Sequence, residues 1–160
     1  MTRILVFGRN GQVATELRTL ADVVALGRAE VDLSDPAACA AVIHAHRPRA
    51  VINAAAYTAV DRAEEEENLA TVINGDAPTA MAQACAALNI PLVHISTDYV
   101  FSGNGTSAWA PADKRTPQNA YGRSKLAGEQ GIRAAESTHA ILRTSWVFSA
   151  HGSNFVKTML

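Results

Sequence analysis

Residues 4–14 read Ile4-Leu5-Val6-Phe7-Gly8-Arg9-Asn10-Gly11-Gln12-Val13-Ala14. Four apolar residues run straight into a glycine loop, and the loop runs into a helical pattern. A short Val/Ile/Leu-rich run bounded by turn residues suits a strand buried on both faces, as in a parallel sheet. The loop fits G-x-x-G-x-x-A, a variant of the dinucleotide fingerprint. Gly8 makes the tight turn, and Gly11 lets a pyrophosphate approach the backbone at the positive end of the following helix. Ala14 stands where a third glycine usually serves close helix–strand packing, and alanine is permitted there. A turn of purely structural purpose would carry the same spacing. The place of this loop, at the first strand–helix junction, is what favours a nucleotide.

The same alternation continues outward. Further short apolar runs occupy 23–26, 50–52, 92–95 and 140–142, and read as parallel strands. Helical stretches lie between them, at about 11–21, 36–46, 62–89 (broken) and 117–136. Asp35-Pro36 sets a capping residue before a proline at the first helical position. Asn89 ends a helix, with Pro91 just beyond. Strand alternating with helix predicts an α/β fold, a doubly wound parallel sheet of Rossmann type. Residues 102–119 have the glycines and prolines of a loop. Residues 154–160 read as an amphipathic helix in mid-course. The expectation is one dinucleotide-binding domain over 1–160, cut before a C-terminal substrate-binding portion.

Composition narrows the classes. The chain has 160 residues, 48% hydrophobic and 18% charged, enough apolar material for a packed core. Net charge is -1 and no basic stripe is present, so neither nucleic acid nor a membrane surface is an expected partner. No apolar run reaches the ~18 residues of a membrane span. The start lacks the pattern of a secretory signal, which predicts a cytoplasmic protein. Cys39 and Cys85 sit in alanine-rich helical patterns and read as buried free thiols. His44 and His46, two apart on a helix, face different ways, so no metal site is expected. Asn104-Gly105-Thr106, without secretion, is only a turn. The run Glu64 to Glu67 reads as a solvated stretch near a helix start.

Three strand ends carry candidate chemistry. The second reads Leu26-Gly27-Arg28. Arg28 could hold a 2′-phosphate with Arg9 helping, which favours NADPH over NADH; either arginine could equally be solvated. Asp32 and Leu33 would then lie beside the adenine. The third end, Asn53-Ala54-Ala55-Ala56-Tyr57, has small residues where a cofactor could pass closely, or where helix and sheet pack tightly. The fourth, His94 to Phe101, offers Ser96 or Thr97 as a hydroxyl to a substrate carbonyl, or Ser-Thr-Asp as a turn cap. Finally Tyr121-Gly122-Arg123-Ser124-Lys125 puts a phenol and an ammonium on one helix face. A nearby cation lowers a phenol pKa from ~10, which fits a general acid or base. The plainer reading is a tyrosine on apolar surface with the lysine snorkelling over it.

Together these blocks resemble the extended short-chain dehydrogenase/reductase family. The glycine loop, NAAAYTAVDRAE (53–64), HISTDYVFSG (94–103), PQNAYGRSKLAGE (117–129) and LRTSWVF (142–148) stand in that family's order. The sequence is closer still to the dTDP-4-dehydrorhamnose reductase branch, through Gly11-Gln12-Val13, 53–64, 96–101, 121–129, Arg143-Thr144-Ser145-Trp146 and 154–160. The resemblance implies that Tyr121 donates a proton to the substrate oxygen as hydride arrives from the nicotinamide. Lys125 would hold the nicotinamide ribose and lower the tyrosine pKa, and Thr97 would hydrogen-bond the reacting carbonyl. The implied reaction reduces the 4-keto group of a dTDP-6-deoxy-4-keto-hexose, dTDP-4-dehydro-L-rhamnose, to dTDP-L-rhamnose. Implied cofactor contacts are Gly11, Gln12, Val13, Asp32, Leu33, Ala55, Ala56 and Tyr57, besides Tyr121 and Lys125. Asp98 and Trp146 match positions near the sugar nucleotide; their plainer readings are a turn cap and a core indole. Family members run to nearly twice this length. Their second half supplies much of the sugar-nucleotide site, the homodimer surface and any magnesium ligands. Two alternatives follow: a non-catalytic NADP-binding subunit or inactive fragment, and another extended family member, a 4,6-dehydratase or epimerase.

Overall fold

The computed structural model describes residues 3–160. Five parallel strands form one sheet: β1 (Ile4–Phe7), β2 (Val23–Leu26), β3 (Ala50–Asn53), β4 (Leu92–Thr97) and β5 (His139–Thr144). Their order is β2-β1-β3-β4-β5. The helices are α1 (Gln12–Leu20), α2 (Pro36–His46), α3 (Glu67–Thr71), α4 (Ala77–Leu88), α5 (Ala120–Ala134) and α6 (Phe155–Met159). The chain steps one way from β1 to β2 and the other way from β2 to β3. Right-handed crossovers therefore put α1 on one face and α2, α4 and α5 on the other. The doubly wound α/β reading holds. The direction reverses between β1 and β3, and such a switch point is where open α/β sheets bind ligands.

The main core lies under α2, α4 and α5. Leu5 and Phe7 of β1, Val51 of β3 and Leu92 of β4 meet Cys39, Ile43, Met81, Cys85 and Ile132 there. Side chains alternate along a strand, so Asn53, His94 and Ser96 share this face with Val51 and Leu92. All three are buried polar residues. Both cysteines are buried free thiols, and burial pushes them up to about 11 and about 12. His44 and His46 are exposed in the last turn of α2.

The expected caps are present. Asp35 accepts from Ala38 N before Pro36, and Asn89 closes α4 in the left-handed conformation. Strands β4 and β5 extend beyond the expected apolar runs, because Ser96-Thr97 pairs in register with Arg143-Thr144. The break expected within 62–89 is a short 3-10 turn (Arg62–Glu64) followed by a π-helical segment (Val72–Asp76) joining α3 to α4. At Gly128 of α5, an added Cβ would collide with the Asn74 carbonyl oxygen of that segment. Residues without side chains let the two backbones meet.

The glutamate run is not simply solvated. Glu64 accepts the Ala120 N–H at 2.7 Å, Glu66 accepts the Tyr57 hydroxyl at 2.7 Å, and Glu67 binds Arg123 at 2.7 Å. The run faces the start of α5, whose unpaired N–H groups and Arg123 draw carboxylates in. On β5 and in the segment after it the apolar surface is open: Leu142, Trp146, Phe148 and Met159 are exposed. Among the described residues no helix is long and apolar enough to cross a membrane.

Candidate active site

The carboxyl ends of β3 and β4 border a cavity of about 610 Å³. Ala54, Ala55 and Ala56 line it after β3, and Thr97 at the end of β4 with Asp98 and Tyr99 just beyond. Tyr121 and Lys125 reach it from α5, Ser145 and Trp146 from the segment after β5. Among the residues singled out in the sequence, Ala55, Ala56, Ser96, Thr97, Asp98, Tyr121, Lys125 and Trp146 thus meet at one cavity.

Helix α5 starts where Asn119 accepts the Gly122 N–H at 2.7 Å. Its i, i+4 spacing then places Tyr121 and Lys125 on one face. The Tyr121 ring packs edge-on against Tyr99, with centroids 5.6 Å apart. Burial raises the Tyr121 pKa; the Thr97 hydroxyl opposes this, and Asp98 and Tyr99 add to it. The expected lowering by Lys125 is corrected here. The lysine Nζ is turned to the sheet, 3.2 Å from His94 Nε2 and donating to the Ile95 carbonyl at 2.7 Å. Burial brings Lys125 itself down to about 8, with Glu129 opposing.

Thr97 stands where β4 turns into a short 3-10 segment (Asp98–Val100). Its hydroxyl accepts the Tyr99 N–H at 3.2 Å and lies 3.1 Å from Asp98 Oδ1. Thr97 is therefore both turn cap and cavity hydroxyl. Trp146 is no core indole. It is 72% exposed, in the left-handed conformation, with its ring against Phe155 at 4.7 Å.

The glycine loop lies across the switch point from these groups. Gly8 has φ 104°, and a Cβ there would press on the Ala54 carbonyl at 3.2 Å. Gly11 caps α1 without any side-chain bond, and the first turn holds no acidic residue. Its first N–H groups and positive dipole end stay free for an anion. A Cβ on Gly11 would meet only the Ala54 oxygen, at 3.9 Å. The loop therefore fits a dinucleotide pyrophosphate.

Other expected contacts are engaged elsewhere. Arg9 donates to the Ala25 carbonyl at 3.0 Å and pairs with Glu30 at 2.5 Å. Glu30 also accepts the Gly27 N–H at 2.9 Å. Arg28 pairs with Asp32 at 3.0 Å, and Asp32 accepts the Ser34 N–H. Both arginines are thus held by carboxylates rather than free for phosphate. Leu33 packs against the main core. Tyr57 does not line the cavity: its hydroxyl is held by Glu66, and its backbone is clasped by Asn74 at 2.9 and 3.0 Å. Gln12 bonds Val147 O and Asn154 Nδ2, tying the loop to the segment after β5, and Val13 lines a shallow apolar recess beside it.

Sequence reasoning passed over the polar layer beneath the cavity. Asn53, His94 and Lys125 form a buried chain, and Ser96, Glu129 and Arg143 form a second. The signal was present: Tyr121, Lys125 and Glu129 recur every fourth residue, and His94 and Ser96 alternate inward on a buried strand.

The whole chain, residues 1–160, matches the family model described as RmlD substrate binding domain. It is 44% identical to the dTDP-4-dehydrorhamnose reductase of Sinorhizobium fredii over 99% of its length, covering 55% of that protein. It is 46% identical to the dTDP-4-dehydrorhamnose reductase of Burkholderia thailandensis, covering 99% of this chain and 54% of that one. The crystal structure of dTDP-4-dehydrorhamnose reductase from Bacillus anthracis in complex with NADP superposes with a TM-score of 0.93 at 37% identity, over 99% of this chain and 58% of that one. The chain spans about half the length of the curated relatives it matches.

Proposed function

Since this chain belongs to the RmlD substrate binding domain family, we propose that it is the cofactor-binding and catalytic part of a dTDP-4-dehydrorhamnose reductase. The reaction is reduction of the 4-keto group of dTDP-4-dehydro-L-rhamnose to dTDP-L-rhamnose. The whole enzyme is a cytoplasmic homodimer of extended short-chain dehydrogenase type. One observation carries the reading: Thr97, Tyr121 and Lys125 meet at a single cavity beside the switch point.

When bound, reduced nicotinamide supplies the hydride. The protein's part is position and electrostatics. Gly8 and Gly11 keep the helix end open for the pyrophosphate, and Ala55 and Ala56 leave room beside it. Thr97 donates to the substrate carbonyl, whose oxygen gains charge as it is reduced. Tyr121, kept protonated by burial, delivers its proton to that oxygen. Lys125 would hold the nicotinamide ribose, and Asp98 and Trp146 would border the sugar nucleotide. NADPH is the preferred cofactor. Arg9 and Arg28, paired with Glu30 and Asp32, would hold its 2′-phosphate through their forked donors.

The test is NADPH-dependent reduction of dTDP-4-dehydro-L-rhamnose by the chain, alone and joined to the C-terminal portion of a relative. The joined protein should turn over, and Tyr121→Phe should lower its rate by ~10²–10⁴. Undiminished turnover in Tyr121→Phe would overturn the assignment. Cofactor binding without turnover in the joined protein would favour the non-catalytic subunit instead.

A further inference from the structure

Lys125 is 2% exposed, yet no carboxylate touches its Nζ. Its neighbours are the Ile95 carbonyl and His94 Nε2. The other ring nitrogen of His94, Nδ1, stands 3.1 Å from Asn53 Nδ2. Asn53 decides which nitrogen holds the hydrogen. Its Oδ1 accepts the Ala55 backbone N–H at 3.2 Å, and a backbone N–H can only donate. That fixes the amide orientation, so a donor faces His94 Nδ1. Nδ1 must accept. Burial, then the neighbouring lysine, hold His94 neutral by lowering its pKa well below the ordinary value. In a neutral ring the hydrogen then sits on Nε2, aimed at Nζ. An ammonium has no lone pair to receive it, whereas a neutral amine has one.

We propose that His94, locked in its Nε2–H tautomer by Asn53, is a positioning residue that fixes Lys125 Nζ and stabilises its neutral amine. The inference rests on reading Tyr121 and Lys125 as the proton-handling pair. The titratable groups around the lysine are His94 of β4, Asp98 just beyond it, and Tyr121 and Glu129 of α5. Glu129 favours the ammonium, but its oxygens are already taken by Ser96 and Arg143. Once Tyr121 has given its proton to the substrate oxygen, a phenolate remains. An N–H of the Lys125 ammonium breaks and the tyrosine O–H re-forms, directly or through an intervening hydroxyl. The amine left behind receives the His94 hydrogen bond, and water returns the proton. One proton enters from solvent and no electrons move in this step. By stabilising the amine, His94 makes the ammonium the better donor.

The test needs neither cofactor nor substrate, so it can fail while the reductase reading stands, and the reverse. The chain has three lysines, Lys114, Lys125 and Lys157. Their ε-carbons, isotopically labelled, can be titrated by NMR, with Lys125→Met giving the assignment. Nitrogen-15 NMR reports the His94 tautomer. The wild-type chain should show His94 hydrogen-bearing at Nε2, and one lysine titrating well below the other two. In His94→Phe the Lys125 midpoint should rise by about 1 pH unit, as expected when a hydrogen bond to the neutral form is lost. Asn53→Asp offers Nδ1 an acceptor and should move the hydrogen to Nδ1. A wild-type His94 protonated at Nδ1, or a Lys125 midpoint indifferent to His94→Phe, would overturn the proposal. The wild-type tautomer alone decides if His94→Phe does not fold.

Discussion

Removing the Glu129 carboxylate should cost a large share of the stability. Glu129 is 1% exposed and accepts from Ser96 Oγ at 2.7 Å and from Arg143 Nε and Nη2 at 2.8 and 2.6 Å. The Arg143 side chain is only 12% exposed. Glu129→Ala leaves this guanidinium buried without its counter-ion, at a cost of ~3–5 kcal/mol. Arg133, half-exposed at 3.8 Å, contributes at most ~1 kcal/mol. Against a total of ~5–15 kcal/mol, the loss is severe. With a urea slope of ~1–3 kcal/mol/M, the unfolding midpoint should fall by about 1 M or more. Glu129→Met with Arg143→Leu should recover most of that loss, since an apolar pair replaces a buried ion pair at little cost. Urea denaturation of the three proteins is the assay. A loss below ~1 kcal/mol in Glu129→Ala, or a double variant no more stable than Glu129→Ala, would refute the reasoning.

The same carboxylate predicts an acid dependence. Burial pushes the Glu129 pKa up, but the bonds from Arg143 and Ser96 outweigh it and the folded value is lowered. Its contribution is therefore complete above the unfolded pKa of ~4.3 and is lost as pH falls through the lower folded value. Denaturation of Glu129→Gln against pH should show a shallower acid slope than wild type. Gly128→Ala sets a methyl against the Asn74 carbonyl and should lose ~1–3 kcal/mol, read as a lower thermal midpoint. Cys39 and Cys85, buried and raised to about 11 and about 12, should resist a thiol reagent at neutral pH in the native chain and both react in denaturant.

Much of this fold was legible because each local signal agreed with the next. The run 4–14 needed no tertiary information: a strand without polar residues, a glycine with φ 104° and an uncapped helix start follow from residue types alone. Tyr121 and Lys125 were legible as a pair because helical spacing is rigid. The direction of Lys125 was not, because its Nζ is set by His94 and Ile95, about thirty residues earlier on a neighbouring element. The pairing of Arg9 and Arg28 was hidden in the same way. A sequence shows an arginine beside a phosphate loop, but not that Glu30 and Asp32 fold back onto it. The glutamate run read as solvent-facing because its partners, Tyr57 after β3 and Ala120 and Arg123 in α5, come from two separate segments.

The most direct test of the central claim is titration of the chain with NADPH, followed by nicotinamide fluorescence, beside Gly11→Asp. That substitution sets a carboxylate where the pyrophosphate meets the end of α1. Saturable binding that Gly11→Asp abolishes is the predicted result. No saturation at millimolar NADPH, or binding indifferent to the substitution, would contradict a dinucleotide site at this switch point.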